Sequence, residues 1–392
     1  MNTDIAPRSG LLRRTVVILA TAVFLAGCAT RPGPGSLKIS QAAEDGALDH
    51  TIIVATTRQR ATVSATYFTS ERGDELNFAT ATVSVPPAHK PGQIEWPSAP
   101  PGDPATDFTL RSAGYLKDST AFRAEIRKEL ARRKPGHRRA FLFVHGYNTR
   151  FPEALYRFTQ VVHDAQVPSV PVLFTWASGG KVTDYVYDIN SAQIARDALE
   201  QTIRDLVASG VERIDILAHS MGTYLLLETM RQISISPRGI TRDDFGTVAL
   251  AAPDIDIDLF KQQLQRTGKP EKPFLILVSR DDRALQASSL ISGGKQRVGR
   301  YEHPEELAEL GAIVIDLTAL RGDPANHSKF AEIAQIGPNL RKAILHSQLG
   351  EETEAPSPTG GKVGDLIGRG ANVVLTVPKA ILSAPIQIFG AQ

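Results

Sequence analysis

Short apolar runs alternate with stretches of helical spacing through the middle of the chain. The runs typical of strands cover 51–57, 78–85, 140–144, 170–175, 214–217, 247–251, 274–279 and 312–317. Between them, apolar residues recur at three- and four-residue spacing over 119–133, from about 152, over 192–209 and over 223–233. Buried runs separated by helices predict an α/β fold whose mostly parallel sheet of about eight strands has helices on both faces. Right-handed crossovers would make this sheet doubly wound.

The N-terminal end departs from this pattern. Residues 1–27 carry three arginines ahead of an apolar run over 15–26, which is too short to span a bilayer and is typical of a secretory signal. The run ends in Leu25-Ala-Gly-Cys28, which resembles a bacterial lipobox. The resemblance implies cleavage before Cys28 and attachment of lipid to its sulfur. A plain signal peptide and a membrane-anchoring helix are the alternatives.

The rest of the chain divides into three predicted parts. Residues 28–50 begin with the lipidated cysteine and are small, polar and rich in Pro and Gly, so we expect a tether. Residues 51–346 hold the α/β alternation and predict the folded domain. Residues 347–392 predict a polar linker followed by an apolar tail that Gly and Pro interrupt. This tail could pack on the domain, lie on a membrane surface or bind a partner.

Charge and cysteine content narrow the function classes. The chain carries 44 Lys and Arg against 42 Asp and Glu, a net charge of +2, and three Arg and one Asp of residues 1–27 account for that excess. The mature protein is therefore near neutral, which gives no case for nucleic-acid binding. Cys28 is the single cysteine, so a disulfide within the chain is impossible. The sequence shows no metal-ligand spacing and no phosphate-binding glycine loop, so we expect no cofactor.

The clearest chemical signal lies at 214–222, Ile-Asp-Ile-Leu-Ala-His-Ser-Met-Gly. An apolar run leads into a tight turn with Ser220 at its apex, as in the nucleophile elbow of α/β-hydrolases. Small residues must flank such a serine at two positions' distance, and here they are Ala218 and Gly222. The usual pattern has Gly at the first of these, so Ala218 is a mild departure. Ser220 is therefore the candidate nucleophile.

A serine nucleophile needs a base, and the base needs an acid that fixes its tautomer. In this fold the acid precedes the histidine, and both follow the serine. Of the downstream histidines, His303 begins a surface helix, His346 lies near a helix end, and His327 lies in a loop after the last strand. We therefore expect His327 to be the base.

The acid should follow the strand before that loop. Asp281 and Asp282 come directly after the run at 274–279, and Asp282 is favoured because it lies further into the turn. Asp281 is an alternative. A further alternative is the acidic group after the preceding strand, Asp254, Asp256 and Asp258.

The developing oxyanion needs two backbone donors. One is the amide that follows the nucleophile, Met221, and the other comes from the loop after the strand at 140–144. That strand ends in His145-Gly-Tyr147, where the small residue exposes the next amide, so Tyr147 is the expected second donor. His145 precedes the serine and is expected to be structural, and His219 to support a loop.

With these residues identified, 51–346 resembles a family of bacterial α/β-hydrolases catalogued as esterase/lipase-like enzymes of poorly defined function. The resemblance implies the same triad of Ser220, Asp282 and His327. It departs at Ala177, where the family tends to have proline. The matching stretches are Phe143-Val-His-Gly-Tyr-Asn148, Phe174-Thr-Trp-Ala-Ser178, Asp184-Tyr-Val-Tyr-Asp188, Ala218-His-Ser-Met-Gly222, Leu250-Ala-Ala-Pro-Asp-Ile-Asp256, Ser279-Arg-Asp-Asp-Arg-Ala-Leu285 and Asn326-His-Ser328.

These features together predict a serine hydrolase of small esters or lipids, held at the bacterial envelope by the lipid on Cys28. Acyl transfer, or hydrolysis of an amide or thioester, would use the same residues and stays open. A non-catalytic envelope lipoprotein that keeps the fold for binding is the remaining alternative.

Overall fold

The computed structural model describes residues 31–267, 272–320, 322–333 and 373–376, and its centre is a ten-stranded sheet. The strands are β1 Leu48–Arg60, β2 Phe68–Val85, β3 Thr109–Leu116, β4 Ala140–Val144, β5 Val170–Thr175, β6 Ile214–His219, β7 Phe245–Ala251, β8 Phe274–Val278, β9 Ala312–Asp316 and β10 Val373–Thr376. The described helices are α1 Ser119–Ala131, α2 Phe151–Asp164, α3 Tyr185–Ile194, α4 Arg196–Ala208, α5 Met221–Ile235, α6 Ile257–Thr267, α7 Arg283–Ile291, α8 Pro304–Glu309 and α9 Lys329–Ile333.

The strand order is β10-β9-β8-β7-β6-β4-β5-β1-β2-β3. β1, β2 and β3 pair antiparallel, and every other neighbouring pair is parallel. From β4 the chain moves to β5 on one side and then returns to β6 on the other side. The carboxyl ends of β4 and β6 therefore meet at a topological switch point, where doubly wound sheets bind ligands.

Two apolar clusters cover the two faces of the sheet. Along β4 and β6, Leu142 and Ile216 enter one cluster, while their neighbours Phe143 and Leu217 enter the other. α1, α4, α5 and α6 contribute to the first cluster, and α2 and α9 contribute to the second. The period-two alternation of a strand thus sends successive apolar residues to opposite layers. The predicted mostly parallel sheet with helices on both faces is confirmed.

Two strands lie outside the eight that the sequence predicts. β3 is an edge strand whose residues beyond Leu110 are mostly exposed, so it lacks the apolar run that marks a buried strand. β10 is four residues long and pairs parallel with β9. The longer antiparallel pair of β1 and β2 also continues into residues with polar sequence, because a hairpin needs less burial than a central parallel strand.

The predicted tether is corrected over residues 31–50. Leu37 is 1% exposed and lies in the apolar cluster of the α2 face. Arg31 forms a two-pronged ion pair with Glu153 of α2, with both N–O distances at 2.6 Å. Leu37 and Ile39 alternate with polar neighbours over five residues only, which is too short a pattern to predict packing on the domain. Residues 31–50 therefore belong to the folded domain, whereas Cys28 and the signal at 1–27 lie outside the described residues.

Most of the predicted linker and tail, 347–392, also lies outside the described residues. The exception is 373–376, whose pairing with β9 favours packing on the domain for these four residues. Within the described ranges, no helix combines the length and the apolarity that crossing a bilayer requires.

Candidate active site

Ser220 occupies a strained turn between β6 and α5. Its φ of 53° and ψ of −125° lie outside the regions that L-residues ordinarily adopt. Three backbone hydrogen bonds hold the turn: Ser220 N–H donates to Ala251 O at 2.9 Å, and Ser220 O accepts from Thr223 N at 2.9 Å and Asp254 N at 3.2 Å. The strain is thus maintained by β7 and by the loop that follows it.

Close backbone approach explains the glycines beside the turn. A Cβ at Gly222 would lie 2.4 Å from His145 O and 2.6 Å from Val144 O, so α5 could not pack against the end of β4. A Cβ at Gly146 would lie 2.7 Å from the Cβ of Ser220. These two absent side chains let the β4 loop and the serine turn meet.

Asp282 and His327, predicted from separate segments, lie together. His327 Nδ1 and Asp282 Oδ2 are 2.8 Å apart. Asp282 is fully buried and is also the N-cap of α7, since its Oδ1 accepts from Leu285 N at 2.9 Å. His327 N donates to Asp323 Oδ1 at 2.7 Å, and its side chain keeps 15% exposure. The acid is therefore rigid, while the imidazole remains at the surface of a cleft.

The surroundings raise the pKa of His327. Burial alone would lower its pKa, but the charge and hydrogen bond of Asp282, with further attraction from Asp254 and Asp323, outweigh burial and raise the pKa above its ordinary 6.5. Because a neutral His327 donates from Nδ1 to Asp282, Nε2 is the nitrogen with a free lone pair.

His219 links the His327 loop to the serine turn. Its Nε2 lies 3.2 Å from the carbonyl oxygen of His327, and the two rings are 4.7 Å apart between centroids. It also packs on Phe330 at 4.5 Å. Burial, and then the charge of His327, hold the pKa of His219 well below 6.5, so His219 is neutral and donates from Nε2. The structure gives this histidine the supporting position that the sequence predicted, one residue before Ser220.

The alternative acids are engaged elsewhere. Asp281 accepts from Lys329 Nζ and from Ser279 Oγ, both at 2.6 Å. Asp254 accepts from Ser288 Oγ at 2.5 Å and from Tyr185 OH at 3.2 Å. The remaining two acidic residues of that group bind backbone or lysine: Asp256 accepts from Asp258 N, and Asp258 from Lys295 Nζ.

The alternative histidines are not brought to the site by the described structure. His303 is the N-cap residue of α8, with 58% side-chain exposure and Glu305 at 3.3 Å. His346 lies outside the described residues. Of the three downstream histidines, His327 is the one that the described structure places beside both a buried carboxylate and the serine turn.

The two predicted oxyanion donors lie on the loop after β4 and at the first position of α5. Within the described residues, neither the Tyr147 amide nor the Met221 amide has a hydrogen-bond acceptor. The two amides after Tyr147 do have acceptors: Asn148 N donates to Asp188 Oδ2 and Thr149 N to Ser178 Oγ, both at 3.0 Å. Met221 N is the kind of unpaired donor that the start of a helix always leaves. These two amides are thus available to an oxyanion.

A buried arginine that sequence reasoning missed supports the loop after β4. The guanidinium of Arg58 donates to Thr149 O at 2.6 Å, to Ser178 O at 3.1 Å and to Thr175 Oγ1 at 2.9 Å. Burial lowers its pKa to about 10, so it stays charged at neutral pH. Its only sequence signal is its position directly after the buried part of β1.

His145 has a structural role, as expected. It is buried, its ring stacks on Trp176 at 5.1 Å, and its Nε2 lies 2.8 Å from Thr175 Oγ1. Trp176 Nε1 in turn donates to His145 O at 2.9 Å. Burial, and then the charge of Arg58, lower the pKa of His145 to about 3, so the ring carries no charge. The stretch around Trp176 therefore anchors the loop after β4.

An apolar cavity of about 340 Å³ lies away from this chemistry. Phe245 and Phe274, the first residues of β7 and β8, line it together with Met230 and Leu264. It therefore opens at the amino ends of the strands, on the edge of the sheet opposite Ser220, and is not the pocket of the triad.

Comparison with known proteins identifies a family for this chain. Residues 118–345, more than half of the chain, match the sequence model of a family described as "alpha/beta hydrolase of unknown function (DUF900)". No curated protein and no solved structure matches the chain. The match spans α1 to α9 and contains Ser220, Asp282 and His327.

Proposed function

Since the chain belongs to this family of α/β-hydrolases, we propose that it cleaves carboxylic esters by nucleophilic attack of Ser220. The observation that carries the proposal is the 2.8 Å contact between His327 and Asp282 beside the strained Ser220 turn. Its support is a serine on a strained turn, together with a histidine that pairs with a buried carboxylate and whose loop is joined to that turn through His219. That combination has little purpose other than nucleophilic catalysis.

The reaction follows from the roles of these atoms. Ser220 Oγ attacks the ester carbonyl while His327 Nε2 takes its proton, and Asp282 stabilises the imidazolium through Nδ1–H. The Met221 and Tyr147 amides hold the oxyanion of the tetrahedral intermediate. His327 then donates the proton to the departing alcohol. Water, activated by the same imidazole, releases the acid from the acyl-enzyme.

The test is hydrolysis of p-nitrophenyl acetate and butyrate by the wild-type protein and by Ser220→Ala. We expect the substitution to reduce kcat by about 10⁵–10⁶-fold, because a triad acts as a unit. Ser236→Ala, at an exposed serine after α5, is the matched control and should keep wild-type activity. A fluorophosphonate probe should label the wild-type protein and not Ser220→Ala. Equal rates, or equal labelling, in the two proteins would reject the proposal.

We further propose that the enzyme acts at the bacterial envelope, held by lipid on Cys28. The lipobox-like Leu25-Ala-Gly-Cys28 and the absence of any other cysteine in the sequence support this. Growth with labelled palmitate should label the wild-type protein and leave Cys28→Ala unlabelled. The wild-type protein should also partition into detergent, whereas the mature domain starting after Cys28 should stay in the aqueous phase. A wild-type protein without label contradicts the anchor and leaves the hydrolase proposal untouched.

A further inference from the structure

Five titratable side chains converge at the edge of the sheet opposite Ser220. α2 leaves the carboxyl end of β4 and returns to the amino edge, where it ends in His163 and Asp164. His50 lies at the start of β1 on the same edge, and His89 and Glu95 lie in the segment after β2. This group, which we call the amino-edge cluster, holds three of the nine histidines of the chain.

The contacts within the amino-edge cluster are short. His89 Nε2 lies 2.9 Å from Asp164 Oδ1, and His89 Nδ1 lies 2.7 Å from Glu95 Oε2. His50 Nε2 lies 3.0 Å from His163 Nδ1. The His163 ring is 5.2 Å from the His89 ring and 5.2 Å from the His50 ring, between centroids. Two imidazoles, those of His89 and His163, and the carboxylate of Asp164 therefore lie around a common point, with His50 behind His163.

Three of these residues have the geometry of a metal site. One ligand atom each from His89, His163 and Asp164 lies within 4.8 Å of the other two. Zinc holds nitrogen and oxygen ligands at about 2.0–2.2 Å, which places tetrahedral ligands about 3.4 Å apart. His89 and Asp164 are already closer than that, so shifts of about an ångström or less would form the coordination sphere.

Each ligand also has a second partner that orients it, as in most metal sites. Glu95 accepts from the far nitrogen of the His89 ring, which leaves Nε2 for a metal. Asp164 Oδ2 accepts from Gly92 N at 2.7 Å and from Gln160 Nε2 at 2.5 Å, which leaves Oδ1. His50 holds the His163 ring. These outer hydrogen bonds hold each residue so that the atom that would bind a metal stays on the side that the three residues share.

We propose that His89, His163 and Asp164 bind one Zn²⁺ ion, with water as the remaining ligand. Two imidazoles and one carboxylate suit a divalent transition ion, whereas Mg²⁺ prefers an all-oxygen shell. The ion joins the loop after β2 to α2, and thereby ties this edge of the fold together. It lies at the other end of the strands from Ser220, so the site does not depend on the proposed hydrolase activity.

Zinc binding at this site would exchange a proton for the ion. Without metal, burial opposes the charge on His89, but hydrogen bonds to Asp164 and Glu95 outweigh burial and raise the pKa of His89. Burial lowers the pKa of His163, and burial lowers that of His50 to about 4, so both rings are neutral. Zinc binding therefore displaces one proton, from His89 Nε2 to solvent. The charged groups around the cluster are Asp49 beside His50, and Arg157 and Glu332 beside Asp164.

The test uses the untagged full-length protein, stripped with a chelator and titrated with Zn²⁺ against a chromophoric zinc chelator. We expect one zinc ion per chain with a Kd of about 1 μM or below, and no competition from excess Mg²⁺. Zinc at 100-fold excess over Kd should also raise the Tm of the wild-type protein by several degrees.

Variants identify the ligands. Asp164→Asn and His89→Asn should each weaken zinc binding by about 100-fold or more, and Glu95→Gln by about tenfold. His137→Asn, at an exposed histidine outside the cluster, is the matched control and should bind like the wild-type protein. If His89→Asn does not fold, the zinc affinity of the milder variant Asp164→Asn and the Tm shift of the wild-type protein decide whether the proposal holds. A wild-type protein without zinc binding or Tm shift, or equal zinc affinity in wild type and Asp164→Asn, would overturn the proposal.

Discussion

The carboxyl and amino edges of the sheet each carry a histidine bound to a buried carboxylate, yet the two pairs are built for different work. At the carboxyl edge, His327 meets one carboxylate through Nδ1, and its loop is joined through His219 to the strained turn of Ser220. At the amino edge, His89 meets a carboxylate through each nitrogen, Glu95 on one side and Asp164 on the other. The His327 ring thus uses one nitrogen in a hydrogen bond to a carboxylate, whereas the His89 ring uses both.

This difference teaches how the same residue types serve reactivity or cohesion. A histidine that uses only Nδ1 in a hydrogen bond with a carboxylate keeps the lone pair of Nε2 for proton transfer. A histidine ring that hydrogen-bonds through both nitrogens cannot accept a further proton during catalysis unless one of these bonds breaks. Such a ring can, however, give up a proton that it already carries and bind a cation in its place. We therefore expect changes to the side chains of Asp282 and His327 to alter rate, and changes to the amino-edge cluster to alter stability.

After Ser220→Ala, the largest effect should come from Asp282→Asn. Loss of the carboxylate removes the group that fixes the His327 tautomer, so kcat for ester hydrolysis should fall by about 10⁴-fold. Asn still caps α7, so the free energy of unfolding should change little. Asp281→Asn is the matched control one residue away and should cost less than about tenfold in kcat. A larger loss of kcat in Asp281→Asn than in Asp282→Asn would show that Asp282 is not the acid that orients His327.

The next effect concerns the strain at the carboxyl edge. Gly222→Ala introduces a Cβ 2.4 Å from His145 O, a backbone atom that cannot move aside easily. We expect the free energy of unfolding, measured by denaturant titration, to fall by about 3 kcal/mol. Gly114→Ala places a Cβ in open space on the exposed edge strand and should change stability by less than about 0.5 kcal/mol. Equal stability of the two variants would mean that close packing does not hold the turn.

The dependence of ester hydrolysis on pH tests the role of His327 at the carboxyl edge. His327 must be neutral to accept the serine proton, and its pKa lies above 6.5. The value of kcat/KM should therefore fall about tenfold per pH unit below that pKa and level off above it. Ser220→Ala supplies the baseline for spontaneous ester hydrolysis at each pH. A profile that stays flat down to pH 5 would contradict the role of His327 as base.

The smallest effect is expected at the amino edge in metal-free protein. The folded-state pKa of His89 is raised above its unfolded value, so its ion pairs add stability below pH 6.5 and lose it as pH rises through the raised pKa. His89→Gln should lower the free energy of unfolding by about 2 kcal/mol at pH 6 and by less at pH 9, with ester hydrolysis unchanged. His137→Gln, at an exposed histidine, should show no such difference. If His89→Gln loses ester hydrolysis but keeps its stability, the assignment of catalysis to the carboxyl edge and of stability to the amino edge is wrong.

Much of the carboxyl edge could be predicted because its constraints are local. A serine at positive φ, followed at two residues' distance by a glycine that the β4 backbone approaches, leaves a short signature in consecutive residues. Chain order then limited the partners of Ser220, although Asp281 and the Asp254 group remained as alternatives until their own partners were known. Arg58 was missed because a buried arginine that binds carbonyl oxygens has no spacing rule.

The amino-edge cluster could not be predicted at all. His50, His89 and His163 are separated by tens of residues, and adjacency in space comes from α2 returning across the sheet. The predicted tether failed for a similar reason. Leu37 belongs to a very short apolar pattern, and its burial depends on the apolar cluster beside α2 that only the assembled layers create.

The sequence by itself determined the alternation of strands and helices, the serine turn and the order in which acid and base follow it. These depend on hydrophobic periodicity and backbone sterics, which act over a few residues and are written in consecutive positions. Only the tertiary structure decided which carboxylate meets His327, which amides stay free near Ser220 and which histidines gather at the far edge. Those are contacts between segments distant in sequence, and their distances are set by how the layers pack.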